Sequence, residues 1–128
     1  MGTIQPMMKL LLVDDSELIR SRLVGWLQDI PGLEEIATAG TLAQTLRCVE
    51  HGHPGLLILD LHLPDGDTLQ ILPTLRKMAP EMQIAMLTND ASEFNRGKCL
   101  KAGATWFFDK STEFEKVLDL VQQQALIH

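Results

Sequence analysis

The sequence predicts an α/β fold in which five parallel strands are wound by helices on both faces, and three observations carry that prediction. Four short apolar runs, Leu10-Leu11-Leu12-Val13, Leu56-Leu57-Ile58-Leu59, Ile84-Ala85-Met86-Leu87 and Trp106-Phe107-Phe108, each stop abruptly at polar residues. Runs this short and unbroken fit strands buried on both faces of a parallel sheet. Segments of helical spacing separate them, so strand and helix alternate five times with no linker, repeat or low-complexity stretch. Finally, 128 residues with 45% hydrophobic content suffice for one domain and leave no room for a second.

Each element has its own local reason. Residues 1–7 are expected to be a flexible N-terminal arm, with the domain proper over 8–127. Strand one ends at Asp14-Asp15; beyond it Ile19, Leu23, Trp26, Leu27 and Ile30 share a helical face, and Pro31-Gly32 ends that helix. Glu35–Ala39 reads as a weak second strand. Thr41 with Gln44 forms a capping box for helix two, which carries Leu42, Leu46 and Val49 and stops at Gly52 before Pro54. Strand three runs into Asp60. Pro64-Asp65-Gly66 is turn chemistry, and Asp67 is the expected cap of helix three, whose inner face is Leu72, Leu75 and Ala79. Pro73 removes a backbone donor and crowds the preceding turn, so an irregular turn is expected before it and regular helix after it. Strand four ends at Thr88. Helix four, near Ser92 to Ala102, has a thin apolar face and contains Gly97, which costs about 1 kcal/mol relative to Ala; it is expected to be the most mobile helix. Strand five ends at Asp109-Lys110. Thr112 with Glu115 reads as a second capping box, opening a last helix with Phe114, Val117, Leu118, Val121 and Ala125 inward and Leu120 and Ile127 outside that stripe.

Charge and cysteine usage exclude several classes. A net charge of −6 argues against direct nucleic-acid binding by this domain, which needs clustered Lys and Arg. Cys48 and Cys99 lack any metal or redox spacing and read as small buried side chains in a reducing, cytoplasmic compartment. The apolar run at Met7 to Val13 is too short for a signal segment, Pro6 breaks a myristoylation motif, and no membrane segment is present. Trp26 and Trp106 read as packing residues, and His51 and His53 as solvated ones beside a helix end.

The polar residues that stop the strands are the candidate site. In open α/β sheets ligands bind at the carboxyl ends of the strands, near the point where strand order reverses. The flavodoxin-like order 2-1-3-4-5 sets strands one and three side by side, which brings Asp14, Asp15 and Asp60 together. Carboxylates this close repel by about 4 kcal/mol per pair at 4 Å and an effective dielectric near 20, so the fold tolerates them only with counter-charge or raised pKa values. A hard divalent cation answers that need. Magnesium prefers oxygen ligands and is usually held by one or two carboxylates plus substrate phosphate, so the site anticipates phosphate.

These residues resemble the response-regulator receiver domains of two-component signalling, and especially single-domain chemotaxis regulators. The resemblance covers about residues 8–127 and rests on five separated positions in the right order. It implies that Asp60 is the phospho-acceptor, that Asp14 and Asp15 hold Mg2+ beside the backbone carbonyl of His62, that Thr88 and Lys110 bind the phosphoryl group, and that Phe107 is the switch aromatic. Pro64 and Gly66 match the family's loop after the acceptor. A histidine kinase or phosphotransfer protein is implied as donor, and a downstream protein is implied at the face of helix four, strand five and helix five. The domain would phosphorylate and dephosphorylate itself as a switch, without being a turnover enzyme. Ser111 stands after Lys110 where many members have proline, and Asn89 is larger than the usual residue after the hydroxyl. His62 and Asp90 occupy positions associated in that family with dephosphorylation rate, and the His62 ring is expected to face water.

Two rivals fit less well. An aspartate-nucleophile phosphatase of the dehalogenase type wants Asp-x-Asp after strand one, where this chain has Asp14-Asp15-Ser16. A flavodoxin-like electron carrier needs a phosphate-binding loop rich in Ser, Thr and Gly at that place, and Asp14-Asp15 would repel the cofactor phosphate.

Overall fold

The computed structural model describes residues 7–127, so all of the expected arm except Met7 lies outside the described residues, as does His128. The elements alternate as β1 (Met8–Val13), α1 (Glu17–Leu27), β2 (Leu33–Ala39), α2 (Leu42–Gly52), β3 (Leu56–Leu59), α3 (Leu72–Met78), β4 (Gln83–Thr88), α4 (Glu93–Ala102), β5 (Trp106–Asp109) and α5 (Phe114–Leu126). All five strands are parallel in the order β2-β1-β3-β4-β5, with Leu12 beside Ile58, Ile58 beside Ala85, and Ala85 beside Trp106. A two-residue ribbon, His62–Leu63 paired antiparallel with Gly66–Asp67, follows β3 and was not foreseen in the turn residues.

Alternation along each strand makes two cores. Leu11, Val13, Leu57, Leu59, Ile84, Met86 and Phe107 face α2, α3 and α4, where Val49, Leu72, Leu75 and Cys99 meet them. Leu10, Leu12, Leu56, Ile58, Ala85 and Leu87 face the other way, onto Leu23 and Leu27 of α1 and Val117 and Val121 of α5. Central strands are thus buried on both sides, which is why their sequences are continuous apolar runs. Gly32 shows how closely the layers approach: at φ +94° it is in the left-handed region, and a Cβ there would lie 2.4 Å from the Ala125 carbonyl oxygen.

Most local signals hold. Thr41 accepts from the Gln44 amide at 3.1 Å, although the Gln44 side chain returns to the Gly40 amide (2.8 Å) instead of that of Thr41. A 3-10 turn at Thr68–Gln70 precedes α3, and Pro73 stands in the first turn of the regular helix, where its missing donor costs nothing. Ser16 and Ser92 cap α1 and α4. The C-cap of α2 is His53, at φ 48°, one residue past Gly52.

Four expectations are corrected. The Thr112–Glu115 capping box does not form: Glu113 is the N-cap residue of α5 and its carboxylate accepts from the Asp109 amide (3.1 Å), so the chain enters the helix one residue later. Asp67 makes no cap bond, because its carboxylate is engaged by His62. Leu120 is buried, three residues after Val117 and on the same stripe, while Ile127 is exposed. Trp26 lies on the rim of the α1 face and is itself exposed, packing edge-on to Phe114 with ring centroids 5.2 Å apart.

Helix α4 is attached mainly by polar contacts. Cys99 is its one buried residue; Asn95 donates to the Asp90 carbonyl (3.0 Å), Arg96 to the Phe107 carbonyl (3.2 Å), and Arg76 of α3 to the Gly103 carbonyl just past the helix end (2.6 Å). Among the described residues no helix is long and apolar enough to cross a membrane, both cysteines are free thiols, and no peptide bond is cis, that between Lys110 and Ser111 included.

Candidate functional site

Side-by-side pairing of β1 with β3 decides where the acids go. The ladder continues one step past each strand, with the Asp14 amide bonded to the Ala39 carbonyl (3.2 Å) and the Asp60 amide to the Val13 carbonyl (3.0 Å), so both residues are fixed at the sheet's edge. One carboxylate oxygen from each of Asp14, Asp15 and Asp60 falls within 4.8 Å of the others. Asp14 and Asp60 are buried and Asp15 is exposed.

Lys110 supplies the counter-charge. Its ammonium lies 2.5 Å from Asp14 Oδ2 and 2.8 Å from Asp60 Oδ2, and its backbone amide is held by the Thr88 carbonyl at 2.9 Å. The remaining oxygens are also engaged: Asp14 Oδ1 accepts from the Ser16 amide (2.8 Å) and Asp60 Oδ1 from the Leu61 amide (2.7 Å). Burial pushes the Asp60 carboxyl upward, opposed by its bond to Lys110 and reinforced by the Asp14 charge, and the net direction is up. Burial draws the Lys110 ammonium down, but its bonds to Asp14 and Asp60 outweigh that and its net shift is also upward.

Three carboxylates against one ammonium leave the cluster with two negative charges. An all-oxygen donor set with a surplus of two charges, open to solvent through Asp15, suits a hard divalent cation. The cleft beside it is lined by Asp15, Asp60, His62, Thr88, Asn89 and Asp90. Thr88 is buried, and its hydroxyl accepts from the Asp90 amide at 3.1 Å. Phe107 is buried beside Met86 and shares the sheet face of Thr88 by the period of two, with its ring in the core.

Every residue singled out from the sequence therefore lies in or against one site: Asp14, Asp15, Asp60, Lys110, Thr88 and His62 at the strand ends, Phe107 behind them. Two others were missed. Thr68 is buried and its hydroxyl donates to the Asp60 carbonyl at 2.9 Å, anchoring the acceptor's backbone; its only sequence signal is a polar residue opening the turn before α3. Asp67 pairs with His62, whose Nδ1 lies 2.6 Å from Asp67 Oδ1 and whose Nε2 lies 2.7 Å from Asp90 Oδ2. The hydrogen bonds to the Asp90 and Asp67 carboxylates raise the His62 pKa, which favours the protonated ring.

The family of the response regulator receiver domain matches residues 10–122. The chain is 32% identical over 104 residues to the DNA-binding transcriptional activator DevR/DosR of Mycobacterium tuberculosis, covering 81% of this chain and 48% of that protein. It spans about half the length of the curated relatives it matches first, at 48%, 52% and 55% of each. Among solved structures it resembles a CheY-like receiver domain protein of Methanospirillum hungatei, with TM-score 0.84 and 27% identity over 93% of this chain and 94% of the other. It likewise resembles the BeF3-activated receiver domain of DrrB, with TM-score 0.81 and 26% identity over 95% of this chain and 99% of that one.

Proposed function

Because this chain belongs to the response-regulator receiver domains, the phosphorylation switches that connect histidine kinases to downstream effectors, we propose that Asp60 is its phospho-acceptor and residues 8–127 its receiver unit. One observation carries the assignment: Asp60 is buried at the end of the central strand, with one oxygen on the Leu61 amide and the other on Lys110, inside a cluster that still lacks two positive charges.

The chemistry follows from those contacts. A carboxylate oxygen of Asp60 attacks phosphorus, and the P–N bond to the donor's imidazole breaks, leaving the electron pair on that nitrogen. The acyl phosphate brings about two negative charges to the strand end. Lys110, now shared between two carboxylates, can turn to a phosphoryl oxygen; the Thr88 hydroxyl can donate to another while still accepting from the Asp90 amide. Asp14, Asp15, Asp60 and the His62 carbonyl would hold Mg2+, which when bound neutralises charge developing on the phosphoryl oxygens. Movement of Thr88 frees space beside it for Phe107, and Arg96 carries that change into α4 through the Phe107 carbonyl, so the α4/β5/α5 face is the surface offered to the downstream partner. The same site hydrolyses its own acyl phosphate, and its free thiols fit a cytoplasmic setting.

Incubation with magnesium and phosphoramidate should add one phosphate to the protein. Asp60→Asn keeps the shape and removes the nucleophile, so the mass shift should vanish; a full shift in the variant overturns the assignment.

A further inference from the structure

Away from the acceptor cleft, the edge strand β2 and helix α2 wall a cavity of about 660 Å3, a size that holds a small molecule. Its charged lining comes from three elements. Arg20 reaches in from α1, Arg47 and His51 share one stripe of α2 with Gln44, and Glu35 lies on β2. The cavity has a direction. Arg20 and Gly40, whose amide donates to the Gln44 side chain (2.8 Å), mark one end; Glu35, beside Gly52 where α2 stops, marks the other. A Cβ at residue 40 would lie 2.9 Å from Arg20 Nη1, so the glycine leaves the room in which that guanidinium sits. The same nitrogen donates to the backbone carbonyl of Asp14. Among the described residues neither Arg20 nor Arg47 is in an ion pair, although Glu35 shares the cavity with them. Their charge is available to a ligand.

We propose that this cavity binds a small phosphorylated sugar, with the phosphate between Arg20 and Arg47 and the hydroxyls toward Glu35. The reading goes beyond that of Asp60 as acceptor and does not depend on it. Guanidinium is charged at any working pH, and its planar fork matches phosphate oxygens. A carboxylate offers two oxygens and is satisfied by one fork, whereas a phosphate monoester brings three oxygens and about two negative charges, enough for two forks from different helices. Glu35 would repel a second anion, so the remainder of the ligand is neutral; a carboxylate accepts from hydroxyls, which a sugar supplies. Among the described residues no Phe, Tyr or Trp lines the cavity, so it offers a nucleobase no stacking platform. Because Arg20 also holds the Asp14 carbonyl, a phosphate that engages it draws on the backbone of the acid cluster, and occupancy is felt there.

Nuclear magnetic resonance on the whole chain without metal tests this, with ribose 5-phosphate, ribose and inorganic phosphate as probes. Ribose 5-phosphate should give saturable shifts at the amides of Thr38, Gly40 and Arg47, with the Asp14 amide moving in step. It should bind about tenfold more tightly than either ribose or inorganic phosphate. Arg47 is exposed, so Arg47→Ala spares the core; it should weaken binding about tenfold, and Arg47→Lys should weaken it less by keeping the charge without the fork. Glu35→Ala should shrink the preference for ribose 5-phosphate over inorganic phosphate. The site is overturned by the lack of any saturable shift at about 10 mM, or by shifts confined to residues 88–90, which would put the phosphate in the acceptor cleft. Arg47→Ala binding like the parent overturns it too. Ribose binding as tightly as ribose 5-phosphate removes the phosphate from the proposal, and an unchanged preference in Glu35→Ala removes the sugar; either overturns the ligand class. A still Asp14 amide under saturable binding overturns the link through Arg20. Failure of Asp60 to take up phosphate would leave all these outcomes as they are, so the two readings fail separately.

Discussion

Two basic side chains in this molecule each stand between two carboxylates near the same cleft, and they differ most in burial. Lys110 lies 2.5 and 2.8 Å from Asp14 and Asp60; His62 lies 2.6 and 2.7 Å from Asp67 and Asp90. The geometry is the same, but side-chain exposure is 5 to 11% in the first trio and 50 to 54% in the second. Burial makes each charge in the first trio depend on the others, since none has water to fall back on. In the second, solvent replaces any partner that is lost. The inner trio thus serves folding and chemistry together, whereas the outer one can be altered without endangering the fold.

The largest effect expected from that contrast is on Lys110. Lys110→Ala strands Asp14 and Asp60 opposite one another and should lower unfolding free energy by about 3 kcal/mol in metal-free urea denaturation. Millimolar magnesium should return much of that loss, because a cation binding the native state alone stabilises it by mass action. A variant as stable as the parent without metal would show that the inner trio is not energetically distinct.

Next in size is the division of labour among the acids. Asp14 is spoken for by Lys110 and the Ser16 amide, whereas exposed Asp15 is the member open to a new ligand. Asp15→Ala should weaken magnesium binding, followed by Trp fluorescence, about tenfold. Asp14→Ala should weaken it less and destabilise the fold more. The reverse ranking would locate the metal on the buried acid.

For the outer trio, His62→Ala or Asp67→Asn should each change unfolding free energy by less than about 1 kcal/mol, whatever they do to phosphorylation kinetics. A loss matching that of Lys110→Ala would erase the comparison.

The smallest effect comes from an exposed carboxylate. Asp65 accepts from the Leu42 and Ala43 amides at 2.7 and 3.2 Å, and the Leu42 bond first, then that of Ala43, holds its pKa below 3.8. A lowered folded pKa contributes stability above the unfolded value and loses it as pH falls through the folded one. The melting midpoint of Asp65→Asn should therefore lie slightly below the parent's at pH 6, with the gap closing as pH drops below 3.8. A gap that widens in acid would mean that the contact is not ionic.

What the sequence could disclose was set by how local each cause is. Leu56–Leu59 and its counterparts reveal buried strands because burial on both faces writes itself into consecutive residues, and Asp14, Asp60, Thr88 and Lys110 are found by standing where those runs end. Residue pairs fixed by long-range packing were not legible. Asp67 looks like a cap until the fold brings His62 beside it, and Asp65 looks like turn chemistry until it meets α2, more than twenty residues earlier in the chain. Thr112 and Glu115 have the spacing of a capping box, but Glu113 takes the Asp109 amide first. Leu120 was misplaced because the width of the α5 stripe depends on how deeply the helix seats against β4 and β5.

The polar attachment of α4 also has a thermal meaning. A helix held by the carbonyls of Asp90, Phe107 and Gly103, with Cys99 as its one buried residue, exposes little apolar surface when it lifts away. Heat capacity follows apolar exposure, so this detachment carries a small heat-capacity change while unfolding of the two-sided core carries a large one. Native-state hydrogen exchange across temperature should show α4 opening with a nearly constant enthalpy and the central strands following a curved, dome-shaped free energy. The surface that α4 presents would then open more readily in direct proportion to warming, at temperatures where the stability of the sheet beneath it scarcely changes.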